Sequence, residues 1–275
     1  MKSLSFIPIA LTLPLSAALT HYEPFDYPAG TGLDGLNGGT GWGAAWSDGN
    51  NDVTTGSGSL NYPAAGNFSS SGNQVNISSS VTNAQAVRAL GTTMNLATSG
   101  NTFYASALFQ ISAVSGQGSS LNFTSETDGT GFNRWRFGIN DSGNFYVGMD
   151  PLQANQLATS TSTASAGTTY LLVAKMRTNT GGGDGNGDQV FLKIYEAGDS
   201  IFEPLTDGDW DLSAIGYSGV TLRSLRLDLN NAAGQSNQLD EIRIGTSFAD
   251  VAPIPEPSAL LLLGLSPLAL LRRRL

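Results

Sequence analysis

Beyond residue 57 the chain is a succession of short runs in which apolar and polar positions alternate, separated by clusters of Gly, Asn, Ser and Asp. Alternation with period two sends successive side chains to opposite faces of an extended strand, and the clusters supply turn chemistry, so each run predicts a strand. The predicted strands cover residues 74–78, 84–90, 102–111, 120–124, 132–140, 144–149, 170–178, 189–196, 221–230 and 238–244. In the fifth of these, Trp135, Phe137 and Ile139 share one face while Arg134 and Arg136 share the other, which predicts a sheet buried on one side. Asn140-Asp141-Ser142-Gly143 runs straight into Phe145-Tyr146-Val147 and predicts a hairpin. Leu225, Leu227 and Leu229 alternate with Arg226 and Asp228, whereas Leu222 is out of step and predicts a bulge. Before the C-terminal tail no stretch sustains a helical period, and residues 211–216 are predicted as a single helical turn. About ten to twelve antiparallel strands in one flat sheet would expose an apolar face, so two packed sheets follow.

Ahead of the strands, residues 22–52 alternate aromatics with glycine: Tyr22, Phe25 and Tyr27, then Gly38-Gly39-Thr40-Gly41-Trp42-Gly43-Ala44-Ala45-Trp46. Glycine at this density forbids a long helix. Two readings stand for Trp42 and Trp46. Their flat faces suit the apolar faces of pyranose rings, which makes them candidate carbohydrate-binding residues. Alternatively, both plug one end of a sandwich core, where large aromatics supply much of the buried area.

The two ends of the chain carry a different pattern. Residues 1–18 hold one lysine, an apolar stretch and small residues at Ser16 and Ala18, which reads as a secretory signal cleaved by signal peptidase after Ala18, with Thr20 as the second choice. The last 23 residues, 253–275, carry Pro255-Glu256-Pro257, an apolar span at 259–271 and Arg272-Arg273-Arg274. A span this short rises about 20 Å as a helix against a hydrocarbon layer of roughly 30 Å, so it lodges weakly, with the arginines held on the cytoplasmic side. Each proline fixes φ and disfavours helix in the residue before it, leaving Pro-Glu-Pro an extended peptide open to a processing enzyme. The tail resembles the PEP-CTERM sorting signal of exported bacterial proteins. That resemblance implies recognition by an exosortase-type membrane protease, a transient membrane helix, and delivery to the cell surface or an extracellular matrix.

Composition narrows the rest. Glycine stands at 34 of 275 residues, and charged residues at 13% fall well below the usual quarter or so. Cysteine is absent, so neither disulfides nor thiol chemistry are available. The full chain carries a net charge of −9, and without Lys2, Glu256 and the three tail arginines it carries −12. That field repels phosphate backbones and anionic lipid, which argues against a nucleic-acid partner and leaves cations, neutral glycans such as those of an extracellular polysaccharide, or basic protein surfaces.

The body, residues 22–251, resembles the concanavalin A-like jelly roll, the family of laminin G-like and legume-lectin-like domains. The features that carry the likeness are the opening Tyr22-Glu23-Pro24-Phe25-Asp26-Tyr27, the Gly-Trp-Gly-Ala-Ala-Trp segment and the closing Leu239-Asp240-Glu241-Ile242-Arg243-Ile244-Gly245-Thr246. The resemblance implies an all-β, two-sheet antiparallel sandwich whose first and last strands lie side by side, with Phe25 near Ile242. It further implies a carbohydrate-binding or adhesion role, with a structural matrix protein as the alternative.

Three acidic clusters invite calcium: residues 48–52, residues 207–211, and Asp184, Asn186 and Asp188, which begin as a calcium loop does. The third lacks the sixth-position glycine and the terminal glutamate of an EF-hand, and its other reading is a Gly-rich hairpin. Glycosidases of this architecture use a Glu-x-Asp-x-Glu strand, because retaining hydrolysis needs paired carboxylates about 5 Å apart. Glu126 and Asp128 supply the first two members and Thr130 replaces the third, so no catalytic residue is expected. His21, the sole histidine, has no nucleophile beside it.

Overall fold

The computed structural model describes residues 19–62, 70–77, 83–112, 118–129, 133–149, 157–178, 187–216, 219–230 and 237–252. The secretory signal and the sorting tail, with Pro255, Glu256, Pro257, Arg272, Arg273 and Arg274, lie outside the described residues. Among the described residues no helix is long and apolar enough to cross a membrane.

The strands are β1 (His21–Glu23), β2 (Val53–Thr55), β3 (Val75–Ile77), β4 (Asn83–Asn95), β5 (Thr102–Ile111), β6 (Ser119–Thr124), β7 (Asn133–Ile139), β8 (Asn144–Gly148), β9 (Leu157–Thr163), β10 (Thr169–Arg177), β11 (Asp188–Glu196), β12 (Leu212–Gly216), β13 (Thr221–Asn230) and β14 (Asn237–Gly245). They form two antiparallel sheets. One has eight strands in the order β12-β11-β10-β5-β14-β3-β2, with β1 also on β14, and the other has six in the order β4-β13-β6-β7-β8-β9. First and last strands do pair, His21 opposite Ile244 and Glu23 opposite Ile242. The predicted bulge appears as a register shift between Leu222 and Ser224. In the β7–β8 hairpin the Asn140 side-chain oxygen accepts from the Ser142 and Asn144 amides, and Gly143 takes the positive φ of 80° that the turn requires.

The main core lies between the sheets, where Phe109, Phe137, Leu172, Leu192, Leu225, Leu227 and Ile242 meet. Phe123 stacks on Trp135 at 4.7 Å between ring centroids. A second apolar layer covers the far face of the eight-stranded sheet. There Tyr104, Leu108, Leu171, Val173 and Phe191 pack under Leu60, Ile201, Trp210 and Phe248. This explains why β5 and β10 read as near-continuous apolar runs, since strands covered on both faces lose the polar half of the alternation. On the six-stranded sheet the second face is polar, and Ser120, Asn122 and Tyr146 on it are themselves buried.

One expectation is corrected. Residues 212–216 pair with β11 as strand β12, and the helical turn lies just before them, at Asp207–Asp209. After β14 the chain stays in the fold: α1 (Phe248–Val251) is capped by Ser247 and buries Phe248 and Val251. The Ser106 hydroxyl donates to the Val251 carbonyl at 2.6 Å, fixing the chain down to that point.

Candidate functional site

The glycine-rich segment holding Trp42 and Trp46 lies as a strap across the edge of the sandwich. It bridges to β1 at Thr40 and to β4 at Trp42 and Ser47, so it ties the two sheets together. Glycine is demanded by this close approach: at Gly41, with φ of 84°, a Cβ would sit 1.9 Å from the Thr20 carbonyl oxygen. Beneath the strap lies a buried ion pair between Glu23 and Arg88. Glu23 also accepts from the Phe25 amide at 2.9 Å and from the Tyr27 hydroxyl and Trp46 Nε1, each at 3.0 Å. Arg88 donates to the Ala44 carbonyl at 2.9 Å, the Asn37 side chain at 2.7 Å and the Gly38 carbonyl at 2.8 Å. Burial pushes the Glu23 carboxyl up, and Arg88, Trp46, the Phe25 amide and Tyr27 pull it back.

This environment removes Trp46 as a sugar platform. The residue is 2% exposed, with Phe25 stacked 6.0 Å away, Trp42 at 6.1 Å and the Arg88 guanidinium 5.5 Å from its ring. Trp42 is half-buried, with Nε1 donating to the Tyr22 carbonyl and the ring lying between His21 and Arg88. Trp46 thus sits in the core as the second of the two readings has it, while Trp42 keeps part of its surface exposed.

His21 sits in the same cluster. Burial, with the Arg88 charge second, lowers its pKa from 6.5 to about 4. The folded ring therefore stays neutral where the unfolded chain takes up a proton. Its contribution is fully present above pH 6.5 and is lost as pH falls toward 4. The loss amounts to about 3 kcal/mol, from 1.36 kcal/mol per pKa unit. Thermal midpoints should drop across that window in the native protein and less in His21→Gln; equal drops in both would remove His21 as the cause.

The metal candidates fare differently. Asp184 and Asn186 lie outside the described residues, and Asp188 is buried at the start of β11 opposite Gly216. Asp48 accepts from the Val53 amide, Asp207 pairs with Lys175 and Arg177, Asp209 bonds Thr206, and Asp211 pairs with Lys193. These acids are used in loop closure. Among the described residues no three His, Asp or Glu side chains converge. Glu126 and Asp128 are exposed on the turn after β6, away from the strand position that paired-carboxylate hydrolysis needs.

A more concentrated chemistry lies on the outer face of the six-stranded sheet. Leu121, Phe123, Trp135, Phe137, Phe145, Val147, Leu225 and Leu227 point to the core. The alternate positions of β6, β7, β8 and β13 therefore face out. In register, Arg226, Asn122, Arg136 and Gly148 make one cross-strand row, and Asp228, Ser120, Gly138, Tyr146 and Thr159 make the next. Asn122 Nδ2 donates to Asp228 at 2.8 Å and to Ser120 at 3.0 Å, and Arg226 pairs with Asp228 at 2.9 Å. The Arg136 guanidinium lies 5.6 Å from the Tyr146 ring centroid. Gly138 keeps the floor low, because a Cβ there would meet the Ser119 carbonyl oxygen at 2.0 Å.

At the β7–β8 end these rows open into a cavity of about 210 Å³ lined by Gly118, Ser120, Arg136, Asn140, Asp141 and Tyr146. Burial pushes the Asp228 carboxyl and the Tyr146 phenol up, with Arg136 opposing both shifts and Arg226 opposing that of Asp228. Three buried atoms of the face, Arg136 Nε, Arg226 Nε and Asp228 Oδ1, have no hydrogen-bond partner among the described residues. The sequence showed Arg136, Arg226 and Asp228 opposite the apolar face. The sheet order that brings them together was not visible in it.

No family model matches the chain, and no curated protein matches it in sequence. Solved structures do match in shape. The globular domain of T. cruzi calreticulin aligns with 84% of this chain and 89% of its own length, at 11% identity and a TM-score of 0.50. The PL-14 alginate lyase of Aplysia kurodai aligns over 72% and 88%, at 10% identity and 0.46. The exoplasmic/lumenal domain of VIP36, in a Ca2+/Man3GlcNAc-bound form, aligns over 76% and 86%, at 9% identity and 0.44. At these identities the likeness defines the architecture alone, a two-sheet lectin-like jelly roll.

Proposed function

We propose that this protein is an exported, non-catalytic saccharide-binding module whose ligand rests on the outer face of the six-stranded sheet. The observation that carries the reading is the polar face itself: two rows of side chains that donate and accept hydrogen bonds, with three buried polar atoms still unpartnered, ending in a cavity whose wall includes one of those residues, Arg136. Buried polar groups are nearly always satisfied, and a hydroxyl-rich ligand supplies both donors and acceptors. A cavity of about 210 Å³ is smaller than the roughly 300–1,000 Å³ of sites that enclose a drug-sized ligand. It suits one sugar ring, held at the β7–β8 end of the face.

Export rests on the two ends. Signal peptidase would cleave after Ala18, a reading supported by Thr20, whose amide and hydroxyl both bond the Ile244 carbonyl within the sandwich. An exosortase-type protease would process Pro255-Glu256-Pro257, leaving the domain at the cell surface or within a matrix polysaccharide. Nucleic acid has no place in this reading.

A glycan array probed with the full chain in mild detergent tests it. Saturable binding is expected, reduced about tenfold or more by Tyr146→Ala, the loss typical of an anchor residue, and retained in Trp42→Ala. Blank arrays would favour a structural coat protein, and release of new reducing ends from a bound glycan would make the protein an enzyme.

A further inference from the structure

We infer that the cavity beside Tyr146 takes the carboxylate of an acidic sugar, a uronate, with Arg136 as its counter-ion. The inference rests on the saccharide-binding reading and names the class of ligand. It begins with how the cations are used. Among the described residues, ion pairs engage Arg88, Lys175, Arg177, Lys193, Arg226 and Arg243. Of the other cations whose side chains are described, Arg136 and Arg223 form no ion pair. Arg223 is exposed, where water solvates it, but Arg136 is half-buried on the cavity wall with Nε lacking an acceptor. A partly desolvated guanidinium is costly unless an anion meets it, and a carboxylate matches its two-pronged donor geometry.

The surroundings set the size of the anion. Arg226, the next cation in the same row, pairs with Asp228 at 2.9 Å, whereas Arg136 feels the Asp228 charge only at a distance and forms no ion pair with a described carboxylate. Asp141 stands on the cavity wall and Asp228 on the neighbouring row, and both penalise a dianion. One negative charge on a ring otherwise bearing hydroxyls fits this balance. Ser120 and Asn140 line the same cavity and are placed to meet those hydroxyls. The body's net negative charge opposes polyanions at long range, but beyond about 8 Å that repulsion is screened at physiological salt. The contact at Arg136 survives, so short uronides should bind at least as well as long ones.

The test is calorimetry on the full chain with glucuronate-, galacturonate- and mannuronate-containing oligosaccharides, each beside its carboxyl-reduced neutral counterpart. At least one uronide should bind about tenfold or more tightly than its reduced form. Arg136→Gln should cut uronide affinity about 10- to 100-fold, the range of a hydrogen-bonded charge, and that of the neutral forms by less, so that the preference for a uronide over its reduced form is lost. Arg136→Lys should restore only part of it, because an ammonium lacks the paired donors. Equal affinity for every uronide and its reduced form, read on the native protein, overturns the inference and leaves saccharide binding standing. Full uronide affinity in Arg136→Gln overturns it as well. If no saccharide binds the native protein, the underlying reading falls and takes the inference with it.

Discussion

Replacing Arg88 with methionine should lower the unfolding free energy by about 3–5 kcal/mol, the range for removing one partner of a buried ion pair. Glu23 would remain fully buried with three donors but no cation. The carbonyls of Ala44 and Gly38 and the side chain of Asn37 would lose their donors at the same time, loosening the strap that ties β1 to β4. Replacing both partners, as Glu23→Gln with Arg88→Met, should recover part of the loss, because no uncompensated charge is then left inside. Urea denaturation of the single and double variants measures both quantities. A single variant within about 1 kcal/mol of the native protein, the size of an ordinary exposed ion pair, would show that the pair is dispensable.

Trp46→Ala should cost a similar amount, about 3–5 kcal/mol, by opening a cavity between Phe25, Trp42 and Arg88 and removing a donor from Glu23. Trp46→Phe should cost about 1–3 kcal/mol, since it keeps most of the volume and loses the bond to the carboxylate. Neither change reaches the outer face of the six-stranded sheet, so the folded fraction of each variant should bind saccharide with native affinity. The comparison separates stability from recognition. A Trp46→Ala protein that unfolds at the native urea midpoint and fails to bind glycans would restore the tryptophan pair as the ligand platform.

Much of the sandwich was legible in the sequence. The limits of β5 and β13 agree with the alternation itself, and the bulge after Leu222 and the β7–β8 hairpin follow from one misplaced leucine and one Asn-Asp-Ser-Gly turn. Strand β9 escaped because its sequence, Leu-Ala-Thr-Ser-Thr-Ser-Thr, lies exposed at a sheet edge and shows almost no apolar face to read. Strand β12 reads as a helical turn in the sequence, since five residues are too few for either period to declare itself. Arg88 did leave a local trace: it stands on the inward face with Ala84, Ala86 and Leu90, a charge where alternation calls for an apolar side chain. Its partner was invisible, because Glu23 lies 65 residues away.

What the sequence determined alone was the alternation, and with it the face each side chain takes on its strand. Hydrophobic burial acts residue by residue, so the pattern of who is inside is written locally. Which strands become neighbours is decided by closure of long loops and packing of the whole sheet. For that reason Arg226 and Asn122, 104 residues apart in the chain, meet on one row beside Arg136 only once β13, β6 and β7 have assembled in that order.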